Sequence, residues 1–548
     1  MSDSSKKQTF LHGAALLLIA TAVVKCIGFF YKIPLSAIIG TAGYGYFTTA
    51  YNIYSVLLMI STAGLPVAMS RMISQASANG DYNQVRQIYR VSRNIFLILG
   101  VISTGIMVAF CQLLANWLNQ PDAWAAILFL GPCALLMGLI STYRGFFQGQ
   151  GNMRPTSNSQ MLEAVFKLLV GLAVAYVVMK LTDSAALAAG GAIFGVTFSC
   201  LISVFYLRRV MTPAYRTLPQ SNDTALSGKA TAKALLAIAV PITIGSAGLQ
   251  LLTVAESGLY MEQLVTLIEQ GQYMAHRVNP LQDAQAVADN IKGVYDQAMT
   301  IFNMPCAFII PITVSVIPAI SSSLTLGDHQ AVRETEESAA RITGLLSLPC
   351  AVGLMLLAEP IMGLLWGHTG EDLVLGGQLM AILGLCVFLY GIIQYTNALM
   401  QAHGYAHIPV INMLVAGGAK LAVVYILTGN ANFGILGAPI GAALCYGAIA
   451  VMNLIAIAKF VPQKPRLIRN LLRPLFPALI MGVCVWGCQW GLIQILGEGA
   501  SRLILCGAPI AVGAVVYCIT AVMFKSITAA DCKLLPKGEK LAKLLRLE

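Results

Sequence analysis

The chain has 548 residues, of which 57% are apolar and 10% charged, and 34 Lys and Arg against 23 Asp and Glu leave a formal charge of +11. Soluble domains carry roughly 25% charged residues, so a soluble globule of this size is excluded because it could not cover its surface. The apolar content excludes a disordered chain, and the 50 glycines follow no collagen triplet.

What remains is a polytopic membrane protein. A helix crossing the hydrocarbon takes roughly 20 apolar residues. Stretches of this kind follow one another at 11–33, 44–68, 94–114, 124–146, 157–180, 184–207, 234–258, 295–321, 342–366, 373–399, 408–428, 433–458, 474–495 and 502–524. They are continuous and do not alternate at period two, which predicts about fourteen helices and no barrel strands. The first follows Lys6 and Lys7, and Ala20-Thr21-Ala22 resembles a cleavage site. Its apolar character continues through Phe29 and Phe30 to Ile33, so it reads as an uncleaved span.

The expected organisation is a first lobe at 1–208 with spans one to six, and a cytoplasmic connector at 209–233 rich in Ser, Thr and Pro. A second lobe follows at 234–460 with spans seven to twelve, and 461–548 holds two extra spans and a basic tail. The longest external loop, 259–294, carries Asp283, Asp289 and Lys292 and is expected to be partly helical. With fourteen spans both termini share a side. Of the 34 bases, 26 then fall on that side, among them Arg144, which lies at the inner end of the 124–146 stretch and is counted with the loop after it. Positive charge stays in the cytoplasm, so both termini are expected there. The basic excess is first a topology signal. No loop is long enough for the basic folded domain of a nucleic-acid binder.

The 13 cysteines lie almost wholly in spans, which supports no disulfide framework. Cys484 and Cys488 share a helix face and read as buried packing. His403 and His407 have metal-ligand spacing, but Gly404 separates them in a loop and no third ligand is near, so no metal is expected. Phosphate-cradling, HExxH and nucleophile-elbow motifs are absent from the sequence. Transport without a nucleotide site in the chain would draw on an ion gradient, Na+ or H+, or on the substrate's own gradient.

The two halves repeat one another. Gln148, Gly151 and Lys167 recur 253 residues later as Gln401, Gly404 and Lys420. Leu65-Pro66-Val67-Ala68 ends span two as Ile317-Pro318-Ala319-Ile320 ends span eight. Spans four and five thus answer to ten and eleven. This is a parallel repeat of two six-helix lobes, which places a substrate path at their interface with alternating access.

A charge in mid-membrane costs about 2.5–3.5 kcal/mol on insertion scales and marks function by default. Lys25 and Lys32 lie two turns apart on one face of span one, a cationic stripe suited to an anionic head group; Lys32 could equally snorkel to the surface. Glu163 and Lys167 are four apart in span five and can neutralise each other. Lys420 has no acidic neighbour in its own span. Glu256 in span seven and Asp296 at the start of span eight are candidates for a coupling cation or for offsetting Lys25.

The run Lys25-Cys26-Ile27-Gly28-Phe29-Phe30-Tyr31-Lys32-Ile33-Pro34-Leu35 resembles the first span of the multidrug/oligosaccharidyl-lipid/polysaccharide (MOP) exporter superfamily. The branch it resembles most holds stage V sporulation protein B and the lipid II flippases. The segments 61–75, 144–163 and 316–324 carry the same likeness. The resemblance implies two six-helix lobes around a cavity with two extra helices behind. It implies flipping of an undecaprenyl-diphosphate-linked oligosaccharide across a bacterial plasma membrane, by a transporter and not an enzyme, in contact with the bilayer and with cell-wall synthesis machinery. Lipid II flippases hold the diphosphate with basic residues, and Lys25 falls on one such position. A second falls at Tyr31–Lys32. In span two no base is present, and span eight offers Thr300 and Asn303 instead. A teichoic or capsular precursor therefore fits as well as lipid II. A cation-coupled multidrug antiporter of the same superfamily is the alternative, and a membrane glycosyltransferase or polymerase a more distant one.

Overall fold

A computed structural model describes residues 3–59, 65–279, 283–462, 465–497 and 501–527. These form seventeen helices: α1 (Asp3–Met59), α2 (Leu65–Asn79), α3 (Tyr82–Ala109), α4 (Cys111–Trp117), α5 (Trp124–Gly149), α6 (Arg154–Thr182), α7 (Ala185–Arg216), α8 (Gly228–Glu269), α9 (Ala284–Thr325), α10 (His329–Leu356), α11 (Ala358–Trp366), α12 (Gly370–Ala402), α13 (His407–Thr428), α14 (Gly437–Phe460), α15 (Leu467–Leu472), α16 (Leu475–Leu496) and α17 (Arg502–Met523). No strand occurs among the described residues, and eleven of their helical segments are long and apolar enough to cross a membrane.

One of the eleven, Val23–Val56, belongs to α1, which is not straight. Gly40 has φ 73 and ψ 174, outside the helical region and cheap only for glycine. The Tyr31 and Phe47 rings stand 6.0 Å apart, whereas sixteen residues of straight helix would separate them by about 24 Å. The chain therefore folds back at Gly40. The first arm carries the first expected span, the second arm carries residues 44–59 of the second, and 65–68 open α2, with 60–64 outside the described residues.

Elsewhere the helices run past the apolar stretches. Hydropathy marks only the hydrocarbon, while polar helix formers extend a helix into water. α8 continues to Glu269 and α9 starts at Ala284, so the loop expected at 259–294 shrinks to 270–283. The connector expected at 209–233 likewise shrinks to 217–227 between α7 and α8. Two expected spans break: 94–114 at Phe110, between α3 and α4, and 342–366 at Leu357, between α10 and α11.

The chain divides into two compact units, Met1–Gly293 and Val294–Glu548. In the first, α5 and α6 pack chiefly on α7. Small residues permit the approach: a Cβ on Gly195 would lie 2.3 Å from the Gly171 backbone. In the second, α13 packs chiefly on α14 and α12 lies between α10 and α14, and a Cβ on Gly437 would lie 2.6 Å from the Thr428 nitrogen. The matched helices keep the 253-residue offset. α5 ends at Gly149 and α12 at Ala402; α6 starts at Arg154 and α13 at His407.

Two polar contacts organise the rest of the first unit. The first turns of α9 are pinned to the second arm of α1 and to the turn before α5. Asp289, 1% exposed, accepts from Gln120 Nε2 (2.9 Å), Tyr46 OH (3.0 Å) and Gln285 Nε2 (3.1 Å). The fully buried Lys292 ammonium donates to the Gly45 carbonyl at 3.4 Å. Asp289 precedes the span that begins near residue 295. Burial pushes its carboxyl up to about 6, against the opposing hydrogen bonds and the Lys292 charge. In the connector, the Asp223 carboxylate accepts from the backbone N–H groups of Asn83 (3.0 Å) and Gln84 (2.9 Å), closing the start of α3 from outside the helix. Slight desolvation works to raise Asp223, and hydrogen bonds from Ser221, Asn83 and Gln84 outweigh it and hold the group below the usual carboxylate range.

Candidate functional site

In the first unit, ionisable groups from both arms of α1 and from α5 and α6 gather beside α7. The second arm of α1 presents an aromatic ladder at helical spacing, Tyr44, Phe47, Tyr51 and Tyr54, with successive ring centroids 6.1, 5.6 and 5.2 Å apart. Spacings of three and four residues put these rings on one face. Lys32, from the first arm, lies 5.7 Å from the Tyr51 centroid, and Lys167 of α6 lies 5.8 Å from the same centroid. Lys167 also stands 6.0 Å from the Tyr31 ring. Ring faces are electron-rich, so they hold cations where few anions are at hand.

One helical turn along, Arg144 of α5 donates from Nη2 to Glu163 Oε2 at 3.0 Å and from Nε to Ser159 Oγ at 2.9 Å. Tyr54 OH donates to the other Glu163 oxygen at 3.3 Å. Ser203 of α7 donates to the Ser159 carbonyl at 3.0 Å. Both charged side chains are largely buried, which makes this pair costly to break. The thiols of Cys133 and Cys200 close the floor, 3.5 Å apart. Arg144 and Lys167 thus flank one carboxylate, and Lys32 reaches the Tyr51 ring beside Lys167.

This arrangement corrects one reading of the sequence. Arg144 is no loop residue: α5 carries it five residues before its end, buried, because Glu163 and Ser159 satisfy its guanidinium. Glu163, expected to neutralise Lys167 along one helix, makes its direct pair with Arg144 on another and also acts electrostatically on Lys167, which faces the Tyr31 and Tyr51 rings.

The other candidates are dispersed. Lys25 is exposed, two turns before Lys32. Tyr31 is buried, with its hydroxyl against Gly171. Glu256 is buried in α8. In the second unit, Asp296 and Thr300 are buried on α9, where the Thr300 hydroxyl donates to the Asp296 carbonyl at 3.0 Å, and Asn303 is exposed. Lys420 of α13 is half-buried, within electrostatic reach of Cys386. His403 ends α12 and shares a 2.6 Å hydrogen bond with the buried Glu336, while His407 opens α13. Sequence reasoning missed Tyr51, Tyr54 and Arg144. The 3–4–3 spacing of the aromatic ladder was the available signal for the tyrosines. For Arg144 the available signal was its place inside the apolar stretch 124–146, while its partner lies 19 residues away on another helix.

The profile described as "Polysaccharide biosynthesis protein" matches residues 10–324, and that described as "Lipid II flippase MurJ" matches 262–495. Stage V sporulation protein B of Bacillus subtilis (strain 168) is 25% identical over 534 residues, 97% of this chain and 98% of that one. Lipid II flippase MurJ of the same organism is 23% identical over 505 residues, 88% of each chain. Among solved structures, a lipid II flippase MurJ in an inward closed conformation covers 93% of this chain and 99% of its own, at 14% identity and a TM-score of 0.68. An inward-facing MATE family transporter covers 82% and 99%, at 15% identity and a TM-score of 0.65. The chain is a membrane transporter of the polysaccharide biosynthesis protein family, in the stage V sporulation protein B and MurJ branch of the MOP superfamily.

Proposed function

We propose that the protein flips an undecaprenyl-diphosphate-linked oligosaccharide, a precursor of cell wall or surface polysaccharide, from the inner to the outer leaflet of the plasma membrane. Both termini lie in the cytoplasm in this reading, and access alternates between the two sides. One observation carries it: Lys32 and Lys167 approach the same Tyr51 ring beside Arg144. Like charges drawn together in a low-dielectric setting repel, and an anionic diphosphate relieves that repulsion. A drug/cation antiporter would instead offer its substrate a carboxylate. Glu163 is engaged by Arg144 and Tyr54, which favours the anion.

The test is Lys167→Ala in the purified full-length protein, with undecaprenyl diphosphate binding measured in lipid nanodiscs. Loss of one charged hydrogen-bonding group predicts binding about tenfold weaker. Unchanged affinity in a folded variant would remove the site from substrate recognition.

A further inference from the structure

The second unit carries the same helical scaffold as the first, with different chemistry at matched positions. At a 253-residue offset, Met137, Ser141 and Arg144 of α5 become Tyr390, Gln394 and Asn397 of α12. Ile193 and Cys200 of α7 become Tyr446 and Asn453 of α14, and Ser159 of α6 becomes Asn412 of α13. Where the first unit holds an ion pair over sulfur and aliphatic groups, the second holds amides and tyrosines.

These groups form one connected face. Buried Asn453 donates to Asn397 Oδ1 at 2.9 Å and to Thr396 Oγ1 at 3.0 Å, and accepts from Asn412 Nδ2 at 2.9 Å. Both of its N–H donors and one of the two acceptor sites on its oxygen are then used. The half-buried Asn397 keeps its amide N–H groups, and half-buried Asn412 keeps its carbonyl oxygen, without a partner among the described residues. Two turns along, Tyr390 and Tyr446 stand 6.2 Å apart, both half-buried and backed by Phe302 at 6.3 and 6.4 Å. Gln394 bridges the two ends and donates to the Tyr390 hydroxyl. Tyr390, Gln394 and Asn397 follow the i, i+4, i+7 pattern of one helix face, and seven residues of helix span about 10 Å.

We infer that this face of the second unit binds the saccharide of the transported lipid. A sugar ring has an apolar C–H face, which buries well against an aromatic ring. Its rim of hydroxyls asks for groups that both donate and accept, which carboxamides supply without charge. A face of about 10 Å, aromatic at one end and amide at the other, matches two linked pyranose rings in length and polarity. Asn397 and Asn412 are only half-buried, so their unused amide groups remain open to the hydroxyls of a ligand. The inference rests on the diphosphate reading above and divides the labour between the repeats: charge in the first, hydroxyl recognition in the second.

The test uses full-length protein in nanodiscs and two probes, undecaprenyl diphosphate and undecaprenyl diphosphate bearing an N-acetylated disaccharide. Asn397→Ala and Tyr390→Ala should each weaken binding of the glycosylated lipid about tenfold and leave the bare lipid unchanged. Tyr390→Phe, which keeps the ring, should lose less than Tyr390→Ala. Equal weakening for both probes, or none for either, overturns the saccharide site. Lys167→Ala should weaken both probes alike. If it weakens neither, the diphosphate site fails, and the saccharide site is judged on the Asn397 and Tyr390 variants alone.

Discussion

At the scale of single residues, the Arg144–Glu163 pair shows how burial changes the meaning of a charge. Both side chains are largely withdrawn from water, and each finds a further polar partner, Ser159 for the guanidinium and Tyr54 for the carboxylate. Removing one partner strands the other, which costs about 3–5 kcal/mol, whereas replacing both with apolar groups of similar size is close to neutral. Arg144→Ala should therefore lower the thermal midpoint markedly, while Arg144→Met combined with Glu163→Leu should recover most of it. A double variant as unstable as the single one would show that the pair is not what the local packing depends on. Neither partner announces this in the sequence. Arg144 falls where a loop base of the positive-inside kind is expected, and only the approach of α6 to α5 gives it a buried acid.

At the scale of elements, the start of α9 is held by hydrogen bonds and not by apolar packing alone. Asp289 is buried, and its folded-state value of about 6 lies above the usual 3.8 because burial disfavours the charged form. A group raised in this way stabilises the fold most while protonated, below about pH 4. Its contribution falls as pH rises through about 6 and is constant above about 7, a loss of about 3 kcal/mol. Asp289→Asn keeps the hydrogen-bonding shape and cannot ionise. The difference in thermal midpoint between variant and wild type should thus grow in the variant's favour between pH 4.5 and 7.5. Parallel curves over that range would refute the assignment. The sequence placed Asp289 and Lys292 in an external loop because the segment is polar, and polar residues were read as water-exposed. The helix continues through them because Ala284–Ala288 favours helix, and the Asn119–Asp122 turn supplies partners that hydropathy does not register.

At the scale of the whole molecule, the repeat explains most of the architecture. α5–α7 and α12–α14 keep the 253-residue spacing from the ends of α5 and α12 to the starts of α6 and α13, although the helices differ in length and in the charge between them. The topology proposed from the Lys and Arg distribution has a direct check. In a cysteine-free background, Asn222→Cys in the connector and Gln272→Cys in the loop between α8 and α9 should react with an impermeant thiol reagent from opposite faces of the membrane, Asn222→Cys only after the cytoplasmic side is opened. Labelling of both from one side would overturn the orientation.

The sequence by itself determined the class of the protein, the approximate position of most of its helices and the period of its repeat. Each of these depends on local quantities: mean polarity over about 20 residues, helix-forming tendency and residue spacing. Only the tertiary structure decided that α1 reverses at Gly40, that Arg144 is buried, that Lys32 and Lys167 share one tyrosine ring, and that an amide network replaces the ion pair in the second unit. Those features depend on which side chains meet across helices, at distances of a few ångströms, between residues as far apart in the chain as Lys32 and Lys167. A one-dimensional pattern carries the propensity of each helix to form, and the chemistry arises only where the faces of several helices come together.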